Sequence, residues 1–324
     1  MYLLNPFSFL TGAALCVASV ECALVAASLA AAVSAGGAPL SAFLLAAATH
    51  LGLYPVLLVL PLALVAQVAG MKGPARKGSA PAGAASTTGK IETADARVEM
   101  ASAPAIFATA EYCIWFALGS LGCLVASAAA ESAAGDAPLS FLPRVYASIL
   151  SVAELSPNVG ITWYFSVEVF DDFRPLFLFV FLAQIALYPI ILRLRVRADP
   201  LFCFAATQML VSAFRAYPTL GDIGIGATML TVAPHVTKGL RFGFLSANIL
   251  MYATVLRPLF LHQWVVAGSG NANFYWAACV AYCFAQTWLI TDLVYAHFDA
   301  RHDARKRSLR AGGRKREAIA SAGK

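Results

Sequence analysis

Ser156-Pro-Asn-Val-Gly-Ile-Thr-Trp-Tyr-Phe-Ser-Val-Glu-Val-Phe-Asp-Asp-Phe173, which runs directly into the apolar stretch after Arg174, is the segment on which the fold turns. Pro157 and Gly160 break regular structure at its start. Beyond them, Trp163, Val167, Phe170 and Phe173 recur at helical spacing, and so do Tyr164, Glu168, Asp171 and Asp172. The spacing predicts one amphipathic helix, rings on one side and acids on the other, seated at a membrane interface. An aromatic belt with a solvated acidic edge carries the same signature.

Composition extends the membrane reading to the whole chain. Of its 324 residues 60% are hydrophobic and only 12% charged, and the mean hydropathy is +0.73. Soluble domains carry about a quarter charged residues. Apolar stretches of spanning length fall at roughly 7–33, 39–69, 104–129, 145–155 continuing into 160–170, 174–193, 199–216, 243–265 and 273–297. A short Gly-rich piece at 219–236 is either a ninth span or a re-entrant segment. The fold class expected is therefore an all-α polytopic membrane protein: a helical domain over 1–298, a disordered cytosolic linker at about 71–100, and a basic cytosolic tail over 299–324. No basic n-region or cleavage site precedes the first span, so no removable signal peptide is expected.

Charge orients the spans. Lys72, Arg76, Lys77, Lys90 and Arg97 place the linker in the cytosol, as Arg193, Arg195, Arg197, Lys238 and Arg241 do for their loops. The loops at 130–143 and 266–272, poor in Lys and Arg, then lie on the luminal face with the 156–173 block. If 199–216 runs from cytosol to lumen, this bookkeeping also requires 219–236 to cross the membrane. The net charge of +6 reflects the tail, where eight basic residues fall between Arg301 and Arg316, so nucleic acid is not implied. That tail reads as a solvated, disordered segment with an attraction to anionic lipid.

The seven cysteines form no Cys-x-x-Cys pair, and neither they nor the five scattered histidines suggest a metal site or a Cys-His nucleophile. Ionisable residues inside spans stand out instead, because each costs at least about 2.5–3.5 kcal/mol at the bilayer centre. Glu21, Glu111, Glu154, Glu168, Asp222 and Asp292 are the acidic candidates. Glu21 and Glu111 are each expected to meet a buried partner: a backbone amide, a hydroxyl or an Arg on a neighbouring helix. Asp222 is expected either to line a cavity beside the broken stretch before it or to cap the helix near Ile223. Asn271 and Asn273 offer donors and acceptors suited to sugar hydroxyls and phosphate oxygens, or one of them caps the final helix.

Several ordered blocks bear a resemblance to a known family: Tyr2-Leu-Leu-Asn-Pro6, Leu53-Tyr-Pro55, Ser156 to Phe181, Tyr217-Pro-Thr-Leu-Gly-Asp222, Ala267-Gly-Ser-Gly-Asn-Ala-Asn-Phe274 and Asp292. Together they resemble the PIG-U family, a membrane subunit of GPI transamidase, over nearly everything up to Phe298. Ser166 stands where the family usually continues its aromatic run, which implies a smaller aromatic face. Family members carry membrane helices and a luminal loop ahead of the block with which this chain begins, so a shortened form is expected.

The resemblance implies a helical bundle similar to the GT-C glycosyltransferases, residence in the endoplasmic reticulum membrane, and no cofactor or metal. It also implies a non-catalytic role, positioning the GPI lipid beside a separate cysteine-protease-like subunit and the other transamidase subunits. That complex removes a C-terminal signal from a protein and joins the new carboxyl end to the ethanolamine amine of GPI. The candidate GPI-contacting residues are Asn158, Trp163, Tyr164, Phe165, Glu168, Phe170, Tyr217, Asp222, Asn271, Asn273, Phe274 and Asp292. The alternative is a mannosyltransferase using a dolichol-linked sugar, which would need acidic catalytic residues in an early luminal loop; no Asp-x-Asp or Glu-x-Asp stands there. A transporter would show paired broken helices related by a repeat, and no repeat is visible.

Overall fold

The computed structural model describes residues 16–71, 103–230 and 234–322, so the Tyr2–Pro6 block and nearly all of the 71–100 linker lie outside the described residues. Helices account for the regular structure, and no strand occurs among the described residues. Among the described residues five stretches are long and apolar enough to cross a membrane: Tyr54–Met71, Ile106–Ala134, Arg174–Val196, Gly243–Val265 and Ala272–Arg310. The chain is an all-α polytopic membrane protein.

The N-terminal half begins with α1 (Ala18–Val33) and α2 (Ala38–Gly52). A 3₁₀ turn (Tyr54–Leu58) then leads into α3 (Val59–Met71). The apolar stretch at 39–69 is therefore not one span. Pro55 disfavours a helical residue before it, and the chain breaks at Leu53, which takes φ 58°. The long α4 (Ala103–Ala134) packs across α2 and α3. Gly119 permits that approach, because a Cβ there would stand 2.8 Å from the Phe43 ring.

The 145–170 stretch is not a span either. It forms a π-turn (Pro143–Ala147), one turn of helix α5 (Ser148–Ser151), an irregular segment, and the short α6 (Thr162–Glu168). Next come α7 (Arg174–Val196) and α8 (Pro200–Phe214). Asp199 caps α8 by accepting from the Phe202 amide at 3.1 Å, with Pro200 preset at its first position. Buried on nearly every face, α8 is the axle of the fold. Phe204 joins the core of α1–α4, while Phe202, Cys203 and Met209 join the core built with α11 and α12.

The 219–236 segment contains two short helices, α9 (Asp222–Leu230) and α10 (Pro234–Thr237). It covers the same height as α8 in these two pieces: Asp222 meets Arg215 at one end, and Gly239 meets Ala296 at the other, level with the Phe202–His297 stack. The last two elements are α11 (Gly243–Val265) and α12 (Ala272–Ala322). The basic segment expected to be a disordered tail continues α12 as helix, in keeping with its content of Ala, Arg and Lys, which are good helix formers.

The ends of the helices sort as the charge pattern requires. Arg193 lies near Thr109 at the start of α4, and Arg241 pairs with Asp299 far along α12. At the opposite end, the segment after Pro157 meets the start of α12.

Candidate functional site

Two segments more than a hundred residues apart in sequence build one rim. The Asn158 side chain accepts from the Gly160 amide at 2.8 Å, closing a local turn. Gly160 is required there, since a Cβ would lie 2.8 Å from the Pro218 ring. The turn exposes main-chain acceptors to α12: the Asn158 carbonyl takes the Tyr275 hydroxyl at 3.0 Å and the Cys279 thiol at 3.5 Å. One turn on, the Ile161 carbonyl takes the Trp276 indole at 3.2 Å, and the Thr162 hydroxyl donates to the Ala216 carbonyl at 3.1 Å. Trp163, 2% exposed, lies between Trp264 and Tyr275 with ring centroids 6.2 and 5.9 Å away.

The outer edge of the rim is polar. The Tyr164 hydroxyl donates to the Asn273 side-chain carbonyl. Desolvation, and then the neighbouring Glu168 carboxylate, raise the Tyr164 phenol above its ordinary value, so it holds its proton as a donor. Glu168 itself is exposed. The Asn271 side chain accepts from the Asn273 and Phe274 amides at 3.1 and 3.3 Å, which makes it the N-cap of α12.

Several candidate residues stand elsewhere than the spacing suggested. Helix α6 ends at Glu168, because Val169 turns extended at ψ 138°. Phe170, Asp171, Asp172 and Phe173 therefore share no face with Trp163. Phe170 is 80% exposed beyond the helix, and Asp171 pairs with Arg174 at 3.0 Å. Phe165 turns to α7 and packs edge-on against Phe177 and Phe181. The Tyr217 hydroxyl is occupied by the main chain of Glu154, donating to its carbonyl at 3.0 Å and accepting from its amide at 3.1 Å. Asp292 accepts from the Arg241 and Phe242 amides at 2.9 and 2.8 Å ahead of α11. It sits about 30 Å down α12 from the rim at the helical rise per residue.

Asp222 lines no open cavity. It is 1% exposed, and its carboxylate accepts from the Thr219 amide at 2.6 Å. Its other oxygen meets Arg215 at 3.0 Å, and Arg215 meets Glu21 at 3.1 Å while lying over the Tyr54 ring at 4.9 Å. The buried partner expected for Glu21 is thus Arg215. Glu111 does not follow this pattern and stays exposed on α4.

Below the rim the seam between α11 and α12 opens into a groove of about 310 Å³, lined by Ile249, Tyr252, Ala253, Leu256, Phe260, Ala277, Ala278 and Ala281. Four alanines keep the helices' facing surfaces low, and the twelve residues from Ile249 to Phe260 extend it for about 16 Å. Phe274 packs on Phe260 at its mouth, 6.0 Å between centroids. Behind the groove Arg257 is buried, with its guanidinium 4.1 Å above the Tyr282 ring. Sequence reasoning missed Arg215 and Arg257, although a basic residue inside an apolar run is the same signal that singled out the acids.

Residues 1–282 match the PIG-U family, described as GPI transamidase subunit PIG-U. The human GPI-anchor transamidase component PIGU is 31% identical over 299 residues, which cover 91% of this chain and 61% of the human protein. The GPI transamidase component GAB1 of Saccharomyces cerevisiae is 36% identical over 169 residues, 52% of this chain and 43% of its own length. Its homolog in Schizosaccharomyces pombe is 35% identical over 158 residues, 49% and 39% of the two chains. The chain thus spans about 61% of the length of its mammalian relatives and less of the fungal ones.

Proposed function

Since this chain belongs to the PIG-U family, we propose that it serves as a non-catalytic subunit of GPI transamidase in the endoplasmic reticulum membrane, binding the GPI lipid and positioning it for attachment. The observation that carries this reading is the continuity of a polar rim, built from α6 and the start of α12, with an apolar groove between α11 and α12. Tyr164, Glu168 and Asn273 stand at the rim, and the alanine-lined seam of α11 and α12 descends from it. An amphiphile with a glycan head and acyl tails matches that arrangement. Its protonated amines suit Glu168, its hydroxyls and phosphates suit the Asn273 amide, and its tails suit the groove.

The chemistry assigned to this chain is positional. Aminolysis of a thioester competes with hydrolysis, and holding the amine near the acyl group raises its effective concentration. The catalytic cysteine belongs to another subunit in this reading. The sugar-transferase alternative gains nothing from the site: Asp171, the first of its two adjacent acids, is exposed and paired with Arg174, and the relatives are named as transamidase components.

Affinity purification of the tagged chain from its own cells, followed by ultraviolet crosslinking with a photoreactive GPI analogue, tests the proposal. Co-purification with a cysteine-protease subunit and labelling of peptides from 158–168 or 271–281 are expected. Absence of that subunit, or labelling confined to other chains, overturns it.

A further inference from the structure

Helix α4 has two faces with different fates. Its inner stripe is committed: Tyr112 is 1% exposed with its hydroxyl 2.9 Å from Ser41, and Ser127 meets His50 at 2.6 Å. Its outer stripe has no cover among the described residues. Phe107, Glu111, Ile114, Leu118, Leu121 and Val125 recur every three or four residues and are all exposed. In an apolar 18-residue stretch of this span only 6% of the residues are buried, against 17–50% in the corresponding stretches of the other four.

The apolar residues of that stripe would be at home in lipid, but Glu111 would not. It is exposed and has no hydrogen-bond or ion-pair partner among the described residues. Its depth follows from Thr109, whose hydroxyl takes a hydrogen bond from Arg193 at 2.7 Å. Glu111 lies about 3 Å farther into the span than Thr109, at the end of the bundle marked by Arg193, Arg195 and Arg197. Helices crossing the membrane carry their Lys and Arg at this same end. A neighbouring helix would therefore bring a cation to the level of Glu111. A two-fold contact between copies of this chain would instead set Glu111 against Glu111.

We propose that the outer face of α4 seats a transmembrane helix of another subunit, whose flanking Lys or Arg pairs with Glu111. The proposal rests on the reading of this chain as a subunit of a membrane complex.

A photoreactive residue at Leu118, introduced into the intact complex, provides the test, with a second at Phe244 on α11 as a remote control. Crosslinking from Leu118 to one other subunit is expected. Glu111→Lys should cut that yield about tenfold or more, because like charges juxtaposed at an interface cost several kcal/mol. Changing the partner's flanking basic residue to Glu should restore it, and Glu111→Gln should fall between. An unchanged Phe244 pattern and melting temperature in Glu111→Gln separate loss of docking from loss of folding. Adducts only with lipid, with the chain's own residues or with a second copy overturn the proposal, as does a yield indifferent to charge. If the chain co-purifies with no complex, the functional reading fails; if it co-purifies but α4 sees only lipid, the docking proposal alone fails.

Discussion

The Asn158 carbonyl accepts the Tyr275 hydroxyl at 3.0 Å, joining residues 117 apart in sequence and fixing the irregular segment before α6 to the first turn of α12. The same carbonyl also receives the Cys279 thiol. Tyr275→Phe removes the stronger donor and keeps the ring against Trp163. The expected loss is about 0.5–1.5 kcal/mol, the net value of one hydrogen bond. Thermal melting in detergent measures it, and tryptophan fluorescence should stay close to that of the unaltered chain because the Trp163–Trp264 stack persists.

Arg215 is the sole cation in contact with Glu21 and Asp222 among the described residues. Arg215→Met should destabilise by about 3–5 kcal/mol, since it leaves two carboxylates buried without a counter-charge. Replacing all three with residues of similar shape, Glu21→Gln, Arg215→Met and Asp222→Asn, should recover most of that loss. Melting temperatures of the single and triple variants distinguish the two outcomes. A triple variant no better than the single one would show that geometry, rather than charge balance, is what the triad supplies.

The membrane class was legible in composition, because an apolar run of about twenty residues is the length a helix needs to cross the hydrocarbon core. That the 156–168 segment and the start of α12 lie at one end of the bundle was also legible, since both fell on the Lys- and Arg-poor side, but their direct contact was not. What the sequence concealed was where backbone regularity ends. Trp163, Val167, Phe170 and Phe173 keep helical spacing, yet Val169 leaves the helix, and spacing alone carries no sign of that exit. Long-range partners were hidden for a related reason. Glu21 announced a need for a cation, but only the packing of α1 against α9 and the end of α8 identifies Arg215 as the one that meets it. Asp292 shares a family resemblance with the rim residues and nothing of their location; its work is local, holding the Arg241 and Phe242 amides.

The two asparagines of the 271–273 turn should separate cleanly. Asn271→Ala removes an N-cap and should cost about 0.5–2 kcal/mol, lowering abundance and GPI attachment in step. Asn273 holds no main-chain amide through its side chain; its partner is the Tyr164 hydroxyl at the rim. Asn273→Ala should therefore leave the melting temperature nearly unchanged while reducing crosslinking to a photoreactive GPI analogue. Equal thermal losses in both variants would assign Asn273 a structural role.

Filling the groove tests the lower half of the proposed site without touching the rim. Ala277 is exposed on the groove wall, whereas Ala278 beside it is 7% exposed and packed into the helix seam. A large side chain at Ala278 would strain the seam, so a blocked groove there would be indistinguishable from damaged packing. Ala277→Phe avoids this, because substitutions at exposed positions usually change stability by no more than about 0.5 kcal/mol. The ring should occupy space next to Phe260 and Tyr252 and shorten the apolar channel available to an acyl chain. Labelling by a GPI analogue photoreactive in its acyl tail should fall, and labelling by one photoreactive in its glycan should fall with it, since both ends belong to one molecule. If tail labelling falls while glycan labelling holds, the rim alone provides the affinity and the groove merely accepts the chains. If neither falls at normal protein level, the seam between α11 and α12 faces bulk lipid, and the tails of the bound amphiphile must lie along another face.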